Sequence, residues 1–173
     1  MHTASLGSLI CEEATRRGHD VTAIVRRNDP VNAQATIVKD ALDLYASDLA
    51  GSDVVVDALG FFTPETLPLH STSLKHIADC LAGTNTRLLV VGGAGSLTVD
   101  DKGTTLDDTP EFPDDFKPLA KAMARASLSF TNAMASTGHT SAQQQISKLM
   151  EHAPTATPLL EKCSPPTTKA NRT

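Results

Sequence analysis

Several short stretches carry residues whose types and spacing suit the binding of an anionic ligand. Gly92-Gly93-Ala94-Gly95-Ser96 follows the apolar run Leu88-Leu89-Val90-Val91, and Asp57-Ala58-Leu59-Gly60 follows Val54-Val55-Val56. Arg26-Arg27 close the run Val21-Thr22-Ala23-Ile24-Val25. A glycine at a strand exit lets the main chain approach a ligand without a Cβ in the way. An arginine there meets phosphate oxygens with a planar set of donors. Gly7-Ser8 open a helical pattern, and the free N–H groups of a helix's first turn form an anion site. Each feature also has a plainer structural role: Gly7 as a helix entry, Arg26 and Arg27 as solvated charges, Ser96 as a turn hydroxyl, Lys117 as a surface amine.

The surrounding elements decide whether these residues meet. From Gly7 to Arg17 the spacing of Leu9, Ile10 and Ala14 predicts an amphipathic helix. Gly18 stands where a helix ends on a residue of positive φ, and Val21 to Val25 reads as a buried strand. Further strands are predicted at Ala35–Val38, Val54–Val56 and Arg87–Val91, with helices near Leu44–Leu49 and Ser71–Leu81. Apolar runs without polar alternation indicate parallel strands covered by helices on both faces. Ligands of such sheets bind beyond the carboxyl ends of the strands. Those ends carry Arg26, Asp40, Ala58 to Gly60 and Gly92 to Ser96.

The expected fold class is therefore α/β, a Rossmann-like parallel sheet. One part of that pattern is not met. Extending a G-x-x-G-x-x-G spacing back from Gly7 reaches Met1 and Ala4, neither of them glycine. The first strand and its glycine turn have no counterpart in Met1–Leu6.

Composition narrows the function classes. The 173 residues are 40% hydrophobic with only 3% aromatic, as one globular domain allows. A net charge of -5 argues against nucleic acid as a partner. Cys11, Cys80 and Cys163, with histidines scattered along the chain, form neither a disulfide framework nor a metal site. No run is long enough to span a membrane and no leader pattern precedes the first helix, so a soluble cytoplasmic protein is expected.

The stretches GSLICEEATRRGHDVTAIVRR, VVVDALG, RLLVVGGAGSL and DTPEFPDDFKPLAKA together resemble the atypical short-chain dehydrogenase/reductases. More narrowly, they are similar to the NADH-flavin-reductase-like, NmrA-like NAD(P)-binding proteins, over about Leu6 to Met123. The resemblance implies a nicotinamide cofactor, NADP favoured over NAD by Arg26 and Arg27, and flavin, a quinone or a similar small acceptor as substrate. It puts the pyrophosphate at Gly7, the 2′-phosphate at Arg26, adenine at Asp40 and the ribose along Ala58, Leu59 and Gly60. Gly92 and Gly93 complete the cofactor set. Ser96 falls where the family polarises substrate and Lys117 near the nicotinamide pocket. No Tyr-x-x-x-Lys pair is present, since the sole tyrosine, Tyr45, lies elsewhere. A non-catalytic NmrA-like redox sensor with a protein partner is the alternative to a reductase, and an inactive fragment is a third reading.

The resemblance stops near Ala126. The expected organisation is an incomplete nucleotide-binding domain over 1–127 and a weakly structured tail over 128–173, rich in glutamine and proline. A shifted reading frame fits the tail: from Thr137-Gly138 it permits Trp-Thr-Tyr-Ile-Ser-Pro-Ala-Ala-Asp-Phe, a family-like string. Leu160 to Arg172 permits a second. A frameshift between about Met123 and Ser136 is expected, and with it a chain of poor stability and little or no NAD(P)H affinity.

Overall fold

The computed structural model describes residues 6–136, with side chains through Thr131. The elements are α1 (Leu6–Arg16), β1 (Thr22–Val25), β2 (Ala35–Val38), α2 (Ala46–Leu49), β3 (Val54–Asp57), α3 (Leu69–Cys80), β4 (Arg87–Val90) and α4 (Lys117–Ser136). Single helical turns at Ala41–Asp43, Ala94–Ser96, Leu106–Asp108 and Asp114–Phe116 fill the connections.

α1 ends for a local reason. Gly18 adopts φ +83°, the Gly18 N–H donates to the Thr15 carbonyl and the His19 N–H to that of Ala14. This reversed pair of bonds satisfies the last carbonyls, as the sequence predicts for that glycine. Glu13 links to Arg16 and Arg17 on the exposed face at 2.6 and 2.7 Å. None of the helix's residues is buried.

The strands form two parallel pairs. Thr22 to Val25 register with Ala35 to Val38, and Val54 to Asp57 with Arg87 to Val90. The sequence predicts a parallel sheet that lacks its first strand, the one normally central. In keeping with that, among the described residues each pair stands as a two-stranded sheet, with no β1–β3 pairing. In the strand order of doubly wound folds the strand before the first helix lies at the centre, with the second and third to one side and the fourth and fifth to the other. β1 and β2 match one flank of that order, β3 and β4 the other.

The core lies on one face of β3 and β4. Val55, Leu88 and Val90 point toward Leu74 and Ile77 of α3, Ala126 and Phe130 of α4, and Leu44 and Leu49 of the connection before β3. On the opposite face Val54 and Val56 are 45% and 41% exposed and Leu89 is half-buried. Lys39 at the end of β2 is fixed by Asp48 of α2 through two contacts of 2.8 and 2.7 Å, and lies over the Tyr45 ring.

α4 continues beyond the domain boundary expected at 127/128. Ala120, Ala126 and Phe130 fall on one helical stripe and are all buried, so the helix passes Ser127 as part of the core. The irregular tail expected from 128 does not describe 128–136; the rest of it lies outside the described residues. Among the described residues no helix is long and apolar enough to cross a membrane.

Candidate functional site

Parallel pairing brings strand exits together at a common level. Val25 pairs with Val38 and the Lys39 N–H donates to the Val25 carbonyl, so Arg26 leaves the first pair level with Lys39, one residue before Asp40. Asp57 pairs with Val90 and the Val91 N–H donates to the Asp57 carbonyl at 2.9 Å. The Ala58–Gly60 exit is therefore adjacent to Gly92 and Gly93. Gly92 has nothing within 4 Å of where a Cβ would stand, so its main chain is open to a ligand. At Gly60 a Cβ would lie 2.8 Å from the Phe62 ring, an exposed aromatic.

The remaining predicted residues divide. Gly7 is the second residue of α1, within the first helical turn. Arg26 is exposed and makes no ion pair with another described residue, whereas Arg27 reaches Asp29 at 3.7 Å. Asp40 caps the turn that follows it, accepting the Leu42 N–H at 3.1 Å. Ser96 is exposed at the end of the Ala94–Ser96 turn. Lys117 starts α4 and its ammonium is held by Asp114 at 2.7 Å, which keeps the Asp114 carboxyl below the usual range. The Ala94–Ser96 turn packs against α4 through Gly95 and Ala120, so Ser96 and Lys117 lie on neighbouring elements. Tyr45 is 69% exposed beside Lys39, apart from both.

Asp57 and His70 were not singled out by the sequence, yet they are the buried titratable groups at these exits. Both are 8% exposed. Burial pushes the Asp57 carboxyl up from its ordinary value, opposed by the Leu59 N–H bond of 3.0 Å and the charge of His70. His70 Nε2 meets the Phe61 carbonyl at 3.0 Å, and its ring meets the Phe61 ring edge-on. Asp57 and His70 line a cavity of about 20 Å³ with Ser73, Gly92 and Met123. It has room for one water and none for a ring system. The readable signal is an acidic residue ending an otherwise apolar strand, VVVD.

A larger hollow of about 570 Å³ runs along Gly51–Asp53, Cys80 and Thr84–Thr86. It opens at the amino ends of β3 and β4, opposite the ends where such sheets bind ligands. Burial raises the Cys80 thiol, so it is not poised as a nucleophile. Among the described residues no cluster suits a metal ion.

No protein-family model matches this chain. It is 47% identical over 118 residues to the YwnB protein of Bacillus subtilis, covering 66% of this chain and 55% of YwnB. SP1627 from Streptococcus pneumoniae, a candidate NADH-flavin reductase, superposes with a TM-score of 0.68 at 53% identity. That match covers 71% of this chain and 59% of SP1627. The Lmo0794 protein of Listeria monocytogenes gives a TM-score of 0.52 at 37% identity, over 76% of this chain and 68% of its own. The chain thus spans under two thirds of YwnB and SP1627. With parallel strands, intervening helices and these likenesses in sequence and structure, this chain belongs to the Rossmann-like α/β family that includes Lmo0794.

Proposed function

We propose that this chain is the nucleotide-binding part of a cytoplasmic NAD(P)H-dependent reductase that reduces flavin, a quinone or a similar small acceptor, and that its activity is impaired. The observation that carries the reading is the adjacency of two glycine-bearing strand exits, Ala58–Gly60 and Gly92–Gly93, in a fold shared with SP1627 at 53% identity. Open main chain at Gly92 and an exposed Arg26 fit an anionic dinucleotide. On this reading Gly7, Ala58, Leu59, Gly60, Gly92 and Gly93 follow the cofactor backbone. Arg26 pairs with a 2′-phosphate, and the outer edge of Asp40 faces adenine. Ser96 orients the acceptor, and Lys117, once it leaves Asp114, supports the nicotinamide side. Hydride chemistry is what the nicotinamide supplies when bound. The protein's own part is to hold, orient and exclude water.

A second reading has one specific observation in its favour. The sole tyrosine is engaged with Lys39 and the Lys117 ammonium with Asp114, so no proton donor of the Tyr-Lys type is assembled. That favours an NmrA-like module that binds the nucleotide, takes a protein partner and turns nothing over. Loss of NADPH absorbance with FMN or a quinone, in proportion to protein, supports the reductase. NADPH binding without consumption supports the sensor, and absence of both supports an inactive fragment.

The domain reading belongs to the same proposal: an incomplete nucleotide domain, then an out-of-frame tail. It is supported by the two family-like strings in the shifted frame of residues 137–173. Sequencing the coding DNA on both sides of codons 123–136 tests it. A single open frame with no family-like alternative would remove it.

A further inference from the structure

We propose that the Phe62 ring is a stacking surface for the planar conjugated ring of a small acceptor, and so the residue by which this chain selects planar acceptors. Giving the ring to the acceptor rests on the reductase reading, whereas the stacking surface itself rests on geometry. The chain holds five phenylalanines, one tyrosine and no tryptophan. Where aromatic side chains are this scarce, burial is the place where each contributes most. Phe130 is buried accordingly. Phe62 is 76% exposed, more than any other large hydrophobic side chain among the described residues.

The backbone around Phe62 is fixed while its ring is free. On the amino side the Asp57 carboxyl accepts the Leu59 N–H at 3.0 Å, and the buried His70 meets the Phe61 carbonyl through Nε2 at 3.0 Å. The Leu59 side chain packs against the core and the Phe61 ring meets His70 edge-on. On the carboxyl side the Thr63 N–H donates to Thr66 Oγ1 at 3.2 Å, and the Thr66 N–H to the Thr63 carbonyl at 2.8 Å. Phe62 is thus held through both neighbours. An aromatic presented in this way has few side-chain torsions to lose when a ligand covers it, which is why such residues anchor binding surfaces.

The ring meets Gly60 by its edge. A Cβ on Gly60 would stand 2.8 Å from Cε2 and from Cζ, and 3.9 Å from Cδ2. A point over the ring face would be closer to equidistant from neighbouring ring atoms, so this step in distance marks an edge approach. Edge contact leaves the faces to solvent, in keeping with the exposure of the side chain. The face is the part of an aromatic ring on which another ring stacks.

The surroundings indicate the kind of partner. Gly60, Thr63, Pro64 and Glu65 are exposed and bring no second large apolar side chain. The loop therefore offers one flat ring rather than the broad apolar centre of a protein interface. One flat face suits one flat ligand. On the reductase reading the dinucleotide follows the main chain of Ala58–Gly60, and Phe62, beyond that segment, falls to the acceptor.

The test uses the full chain without NADPH. Riboflavin and menadione serve as planar rings without phosphate, nicotinamide mononucleotide and AMP as the rings of the dinucleotide. Each is titrated into the parent, Phe62→Leu and Phe62→Trp. The exposed position keeps the melting temperatures of the three chains alike. Riboflavin and menadione are expected to bind the parent, and Phe62→Leu to weaken both by about tenfold. Phe62→Trp is expected to restore binding and to quench the emission of bound riboflavin through ring contact. Riboflavin and menadione binding that is absent from the folded parent, indifferent to Phe62→Leu, or unquenched in Phe62→Trp overturns the proposal. A loss confined to nicotinamide mononucleotide or AMP gives the ring to the dinucleotide and overturns the assignment to the acceptor. Failure of the reductase reading shows separately, as no NADPH consumption by a chain whose riboflavin binding still depends on Phe62.

Discussion

Gly95 and Ala120 meet so closely that a Cβ on the glycine would lie 2.6 Å from the Ala120 Cβ, with the Asp107 Cβ at 3.4 Å. The contact seats the Ala94–Ser96 turn on α4. Gly95→Ala must push the turn off the helix, and overpacking of this kind costs about 1–3 kcal/mol. Urea denaturation should show that loss, while Gly92→Ala, with open space around it, should change stability far less. Equal effects would mean that the turn does not rest on α4.

Phe130 is 8% exposed within the core, and Leu128, two residues earlier, is 65% exposed. Truncating a buried phenylalanine costs about 3–5 kcal/mol. Leu128→Ala should stay within about 0.5 kcal/mol, as surface changes do. Chemical denaturation of the two variants decides whether α4 past residue 127 belongs to the folded unit. A silent Phe130→Ala would place the fold's end before it.

Asp57 carries the pH signature of the site. Its carboxyl is raised by burial, so the folded chain holds a proton more readily than the unfolded one. Stability from this group is then greatest in acid and falls as pH rises through the raised value. Asp57→Asn keeps an acceptor for the Leu59 N–H and removes the buried charge. Its melting temperature relative to the parent should therefore rise between mild acid and neutral pH. A difference that is flat with pH would mean that Asp57 is already solvated.

Glu13 behaves in the opposite sense. Its bonds to Arg16 and Arg17 lower the carboxyl from 4.5 to about 2. Its contribution to the end of α1 is present above the ordinary value and is lost as pH falls from about 4.5 to about 2. The side-chain carboxyl resonance should titrate near about 2 in the parent. In a chain with Arg16→Gln and Arg17→Gln it should return toward the ordinary value.

Much of the framework was legible in residue pattern. β2 falls on Ala35–Val38 as predicted, Gly18 ends α1 by its positive φ, and β1, β3, β4 and α3 differ from the predicted spans only at their ends. Strand exits were legible for the same reason, because short apolar runs stop at glycine or charge. α4 was not, since its stripe of Ala120, Met123, Ala126 and Phe130 is built largely from small residues that carry little hydrophobic contrast. The break between the two pairs follows from the expected lack of the first strand, although which strands pair is a long-range matter that local pattern alone does not give. Asp57 and His70 were missed because burial, not residue type, makes them distinctive. The roles assigned to Asp40 and Lys117 rested on resemblance. What the fold adds is a local partner for each, the Leu42 N–H and Asp114.

The central claim is that the exits of the four strands hold a nicotinamide dinucleotide, with Arg26 on its 2′-phosphate. The direct measurement is a calorimetric titration of NADPH and of NADH into the full chain and into Arg26→Ala. The account predicts weak binding of NADPH, tighter than that of NADH, and a preference abolished by Arg26→Ala at a cost of about tenfold or more in NADPH affinity. NADPH binding that is indifferent to Arg26, or no binding of either nucleotide by a chain shown to be folded, would contradict it.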